Sequence, residues 1–223
     1  YNIFSDLKAN LEKAIDNLEE KKNESLSTDV NKYFFVSKDV ARILLADIYM
    51  YQGDYNQAEK LLGKVVSNGF YELDASNYND KETITNLFDN GSSRETIFAT
   101  RYESQPRGNI SLGTPMLVPI MTYTDVVLSY AESLFKNGKT TEAESQLQKV
   151  TTAKHISITG GNTLEKIKNA RLQLMLYTNT NFAFMKRNNF AKNVYGIEEY
   201  RQLLPIPEQE LMTNPSMTQN PGY

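Results

Sequence analysis

Residues 40–68 read VARILLADIYMYQGDYNQAEKLLGKVVSN, and this stretch decides the fold. Ala41, Leu44, Leu45, Ile48 and Tyr49 recur at spacings of three and four, the period at which one face of an α-helix turns apolar. Gly53 stops that helix. Asp54 follows with Gln57 three positions on, a pairing that can satisfy the free N–H groups at the start of a second helix. That helix presents Ala58, Leu61, Leu62, Val65 and Val66 to the first, and the small side chains of Ala46 and Ala58 let the two backbones approach closely. The stretch is a helical hairpin.

The pattern returns 85 positions later, where Ala131, Gly138, Ala143 and Leu147 occupy the places of Ala46, Gly53, Ala58 and Leu62. Tyr130 stands for Leu45, Leu134 for Tyr49 and Val150 for Val65, so bulky positions stay bulky where identities change. Helices are expected near 40–52, 54–68, 123–137 and 141–150. The glycine-turned hairpin resembles the tetratricopeptide repeat, whose period is about 34 residues and whose hairpins stack into a solenoid. An offset of 85 therefore places other material between the two units.

The rest of the chain fits an all-α domain with long loops and at most a minor β element, expected to be a single domain over 1–223. Ile3, Leu7, Ala14, Ile15 and Leu18 form one apolar stripe, which predicts a helix over 1–20. Residues 19–28 are charged and then serine-rich and read as an exposed linker. After the helix stop at Asn68 and Gly69, residues 70–78 read as an extended aromatic segment, and Ile84, Leu87 and Phe88 suggest one short helix. Glu95 to Tyr102 is rich in β-branched and aromatic residues and is the best strand. Residues 103–119 hold Pro106, Gly108, Gly113, Pro115 and Pro119 and read as loop. Asn162 with Glu165 can cap a helix running to about Tyr177, with Leu164, Ile167, Leu172, Leu174 and Met175 on its apolar face. Phe182, Phe184 and Met185 read as core filling, and Pro207 suits the first turn of a last short helix that Asn214 and Pro215 stop.

Composition removes several function classes. A net charge of −3 gives no basic field for nucleic acid. With no cysteine there is no thiolate metal site and no thiol nucleophile, and the single histidine, His155, reads as a surface residue. No glycine-rich phosphate loop, serine elbow or zinc signature occurs, so neither cofactor nor catalytic residue is expected and the chain does not read as an enzyme. Asp6, Asp16, Asp39, Asp47 and Asp125 lie on predicted helices and read as solvated or capping carboxylates. Fourteen tyrosines and no tryptophan leave Tyr and Phe as the aromatic platforms for a sugar face. Tyr102, beside Arg107 and Asn109 in the loop, is the aromatic with flexible polar neighbours that could bond hydroxyls, and these three are the candidate ligand residues.

The C-terminal run Leu204, Pro205, Ile206, Pro207, then Glu210, Asn214, Met217 and Gln219, Asn220, Pro221, Gly222, Tyr223 resembles the closing signature of the SusD/RagB family. Residues 40–73, 124–132 and 1–18 resemble further helices of that family. The resemblance implies a tetratricopeptide-like helical fold and a surface lipoprotein of the outer membrane. Such a protein binds an oligosaccharide or polysaccharide and serves nutrient uptake beside a SusC-like TonB-dependent transporter. The lipid anchor would lie in a segment outside this chain, which begins at Tyr1 with no visible signal segment and is expected to be a processed or cloned piece. One departure stands out. In 170–187, where the family carries charged pairs, only Arg171 and Arg187 stay in frame, while Leu174, Asn181 and Phe184 replace charged residues; this implies a lost ion-pair network. Family members also carry a large ligand-bearing insertion where this chain has 103–119. A rival reading is therefore a non-catalytic interaction scaffold that has lost sugar binding.

Overall fold

The computed structural model describes residues 2–21, 33–75, 94–102, 116–175 and 179–223, which divide into two compact units, Tyr1–Thr178 and Asn179–Tyr223. The predicted helix Ile84 to Phe88 lies outside the described residues, as do 22–28 of the predicted linker and 76–78 of the predicted extended segment.

In the first unit, α1 (Ile3–Asn17) packs on α2 (Lys38–Tyr51), which folds back through Gly53 onto α3 (Tyr55–Val66). The contact face of α1 is rotated from the stripe read in the sequence: Phe4 lies 5.4 Å from Tyr51 and the Lys8 ammonium sits over the Tyr49 ring, while Ile3 and Leu7 face outward. The hairpin forms for the reasons the sequence contains. Gly53 adopts φ +80°, a conformation that only glycine reaches without strain, and the Asp54 carboxylate accepts from the Gln57 N–H at 3.2 Å. Ala46 and Ala58 are fully buried between the two helices.

The second hairpin joins α4 (Tyr123–Lys136) to α5 (Thr140–Ala153) with the same turn. Gly138 has φ +80°, and Lys139 N donates to Leu134 O at 2.9 Å as Asp54 N does to Tyr49 O. Ala131 and Ala143 are fully buried. The two hairpins stack, because α3 packs on α4 despite the intervening chain. Asn137 donates to Tyr55 O and to the Glu59 carboxylate, Lys139 pairs with Glu59 at 2.6 Å, and the Tyr123 hydroxyl donates to Val66 O. Helix α6 (Thr163–Leu174) then packs on α4 and α5, opened by a complete capping box between Asn162 and Glu165, and ends at Leu174.

The material between the hairpins includes an antiparallel pair, β1 (Thr96–Tyr102) and β2 (Met116–Thr122). The second strand corrects the expectation of loop through residue 119. Pro119 is opposite Ala99, next to a register shift between Phe98 and Ala99. Each strand of a two-stranded sheet is an edge, where proline's missing N–H is tolerated.

Two carboxylates read as solvated or capping are instead held in ion pairs. Asp39 has no exposed surface and accepts from Arg42 at 2.8 Å and from Asn68 at 2.7 Å, and Arg42 also holds Glu20 at 2.6 Å. Burial pushes the Asp39 carboxyl up, against the lowering effect of Arg42. Asp125 pairs with Arg171 at 2.8 Å, and Arg171, fully buried, also donates to Ser129 at 2.7 Å. In the stretch whose charged network was read as lost, Arg171 thus keeps an ion pair, with Asp125 of α4.

In the second unit, α7 (Asn179–Arg187) buries Phe184 and Met185 completely, as expected, while Phe182 is exposed. The Arg187 guanidinium lies over the Phe184 ring. After α8 (Ala191–Tyr195), a 3-10 turn (Glu199–Gln202) leads to Pro207 and α9 (Glu208–Thr213). The closing residues lock this unit by hydrogen bonds that their side chains alone can make. The Gln219 amide accepts from Ile206 N at 2.8 Å and donates to Ile206 O at 3.0 Å. Asn220 donates to Leu204 O, and the Tyr223 hydroxyl donates to Leu203 O. A Cβ on Gly222, which has φ +96°, would stand 2.5 Å from the Tyr200 ring, so this position admits only glycine.

Candidate functional site

The three residues singled out for ligand contact sit at or beyond the far end of β1. The backbone of Tyr102 is the last position of that strand, opposite Met116, while Arg107 and Asn109 lie outside the described residues. What the structure adds is the way the opposite end of this hairpin is held.

Glu95, immediately before β1, is fully buried. Its carboxylate accepts from the Lys154 ammonium at 2.5 Å, from Asp74 N at 3.0 Å and from the Thr124 hydroxyl, and its backbone oxygen accepts from Tyr123 N at 2.8 Å. Lys154 also reaches Asp74 at 3.3 Å. Arg94 donates to Phe70 O at 2.6 Å and Gly69 O at 2.8 Å, pairs with Glu72 and lies over the Phe70 ring. One residue pair, Arg94 and Glu95, therefore ties β1 to the segment after α3, to the first turn of α4 and to the end of α5.

Burial pushes the Glu95 carboxyl up to about 7, with Lys154 opposing and Asp74 adding to the rise. A carboxyl so perturbed invites an acid–base reading. Here geometry argues otherwise: Glu95 has no exposed surface and its oxygens are occupied by donors from three elements, so no substrate reaches it. The cluster is a clamp that holds the hairpin on the helical frame. Among the described residues no group of metal-ligating side chains could hold an ion, and no helix is long and apolar enough to cross a membrane. His155 is exposed, as read from the sequence.

Comparison with known proteins agrees with this architecture. The model of the SusD family matches residues 161–223, which include α6 and the whole locked C-terminal unit. A SusD-like protein from Bacteroides fragilis superimposes with a TM-score of 0.76 at 12% identity, over 99% of this chain and 70% of that one. Surface glycan-binding protein A from Bacteroides thetaiotaomicron gives 0.73 at 15% identity, over 98% and 70%. The same relative solved in complex with laminarihexaose gives 0.72 at 16% identity, over 97% and 70%. A comparison with curated proteins gives no match. The fold is SusD-like, built on tetratricopeptide-like hairpins. Residues 161–223 match the SusD family, and the fold of the chain is the one that the SusD-like structures share.

The clamp was not visible in the sequence. Glu95 and Lys154 stand 59 positions apart with no shared motif, and only the stacking of the hairpins brings them together.

Proposed function

We propose that this chain is the glycan-binding accessory of an outer-membrane nutrient importer, displayed on the cell surface by a lipid anchor and working beside a SusC-like TonB-dependent transporter. It binds and does not catalyse. The observation that carries the proposal is the family match over 161–223 on a fold shared with a surface glycan-binding protein solved with laminarihexaose bound. In this reading the segment from Tyr102 to 115 presents the ligand contacts, with the Tyr102 ring stacking on a pyranose face and Arg107 or Asn109 bonding its hydroxyls. The clamp at Glu95 supports it by holding the start of β1, the strand that leads to that segment, on the helical frame.

The test is isothermal titration with laminarihexaose, maltohexaose, cellohexaose and xylohexaose. At least one should bind, and Tyr102→Ala should weaken it about tenfold or more, since about 1.4 kcal/mol already makes a factor of ten. Unchanged affinity moves the contact away from Tyr102. The alternative, an interaction scaffold without a sugar ligand, is favoured by the short span between the paired residues Tyr102 and Met116. It predicts no binding in any titration but retained association with a SusC-like barrel.

A further inference from the structure

A second surface of the described chain carries the chemistry of a carbohydrate subsite, at the end of α1 and the entry to α2. A cleft of about 480 Å³ opens there, lined among others by Asn17, Glu19, Glu20, Lys21, Phe35 and Phe70. Phe35 is 68% exposed and the adjoining Val36 is 52% exposed. Such a turn ordinarily carries small polar residues, because an apolar ring held in water gains nothing from folding.

The ring is exposed because the backbone holds it there. Tyr33 on one side and Ser37 on the other are both buried, and Lys38 N donates to Glu19 O at 2.9 Å, which ties the turn to the end of α1. The Lys21 ammonium donates to Ile97 O at 2.8 Å and so connects the cleft wall to β1. A ring fixed between two anchors loses little freedom when a ligand stacks on it.

The polar lining selects the ligand class. Glu20 is already paired with Arg42, and Lys21 lines the same cleft as Glu19 and Glu20, so no strong field of one sign favours an ion. What the lining offers is an apolar ring face beside amide, carboxylate and ammonium groups, the combination that a neutral polyol with one C–H-rich face requires. We propose that this cleft is a carbohydrate subsite in which Phe35 is the stacking platform and Asn17, Glu19 and Lys21 bond sugar hydroxyls.

The proposal rests on the glycan-binding reading above and adds a location to it. The experiment is titration of the full chain with the same four hexasaccharides, comparing the parent with Phe35→Ala, Phe35→Tyr and, as a control exposed aromatic away from the cleft, Tyr51→Ala. Phe35→Ala should lower affinity for the bound sugar at least fivefold with an unchanged melting temperature, since the ring is mostly in solvent. Phe35→Tyr and Tyr51→Ala should bind as the parent does. Parent binding that Phe35→Ala leaves intact overturns the subsite and spares the glycan reading. A parent that binds none of the four overturns both. Equal losses in Phe35→Ala and Tyr51→Ala would mark a general effect and also overturn the subsite.

Discussion

Arg171 shows at the scale of one side chain how charge survives a rewritten motif. Its guanidinium is fully buried between Asp125 and Ser129 of α4, so the pair costs desolvation on both sides and only full pairing offsets it. Asp125→Asn, which keeps size and removes the charge, is expected to cost about 3 kcal/mol by removing a carboxylate with which a buried cation pairs. The double change Asp125→Asn with Arg171→Met should recover most of that loss in chemical denaturation; a double variant as unstable as the single one would place the cost elsewhere. Glu95 leads to a different measurement. Its carboxyl titrates near 7 in the folded chain against an ordinary 4.5, because burial disfavours the charge. Between those values the folded protein holds a proton that the unfolded chain has released, so stability falls as pH rises from about 4.5 to about 7. Glu95→Gln should flatten that part of the melting-temperature profile. An unchanged slope would show that Lys154 keeps the carboxylate ionised throughout.

Each hairpin is an element in which local signals and packing agree. Gly53 and Gly138 share φ +80° and the same turn hydrogen bonds, and the alanines at the helix crossings have no exposed surface. Ala46→Leu and Ala131→Leu should each cost about 1–3 kcal/mol, because a larger side chain must push apart two backbones that nothing else separates. Silent thermal melts for both would refute the close crossing. The strands are the contrasting case. Residues 116–122 read MLVPIMT, an apolar run with a proline inside it, and the proline argued for loop. Its place opposite Ala99, beside a register shift, follows from pairing with β1 and not from any local preference.

On the scale of the molecule, the 85-residue offset between the repeats becomes intelligible. The hairpins stack as neighbours, through Asn137, Lys139 and Tyr123 against α3, and the chain between them contains the strand pair, whose Ile97 and Ala99 are buried. The clamp sits at the Thr96 end of the ladder and Tyr102 at the other. Replacing 103–115 with a two-residue Asn-Gly turn should therefore leave helical circular dichroism unchanged, since that turn suits a directly paired Tyr102 and Met116. It should also abolish sugar binding that depends on Arg107 or Asn109. A collapse of helical signal would mean that the segment supports the frame.

The amino-acid sequence by itself determined the two hairpins, their glycine turns, the Asn162 cap and the C-terminal closing run. Helical periodicity, caps and positive-φ glycines are decided within a few positions of one another, so one stretch of residues contains all the terms. Tertiary structure decided the rest. The partners of Glu95, Asp125 and Asp39 and the pairing of Met116 to Thr122 depend on which distant groups arrive in the same dry volume. A carboxylate on a helix looks the same in sequence whether it faces water or an arginine, and only packing makes burial so costly that a partner is required.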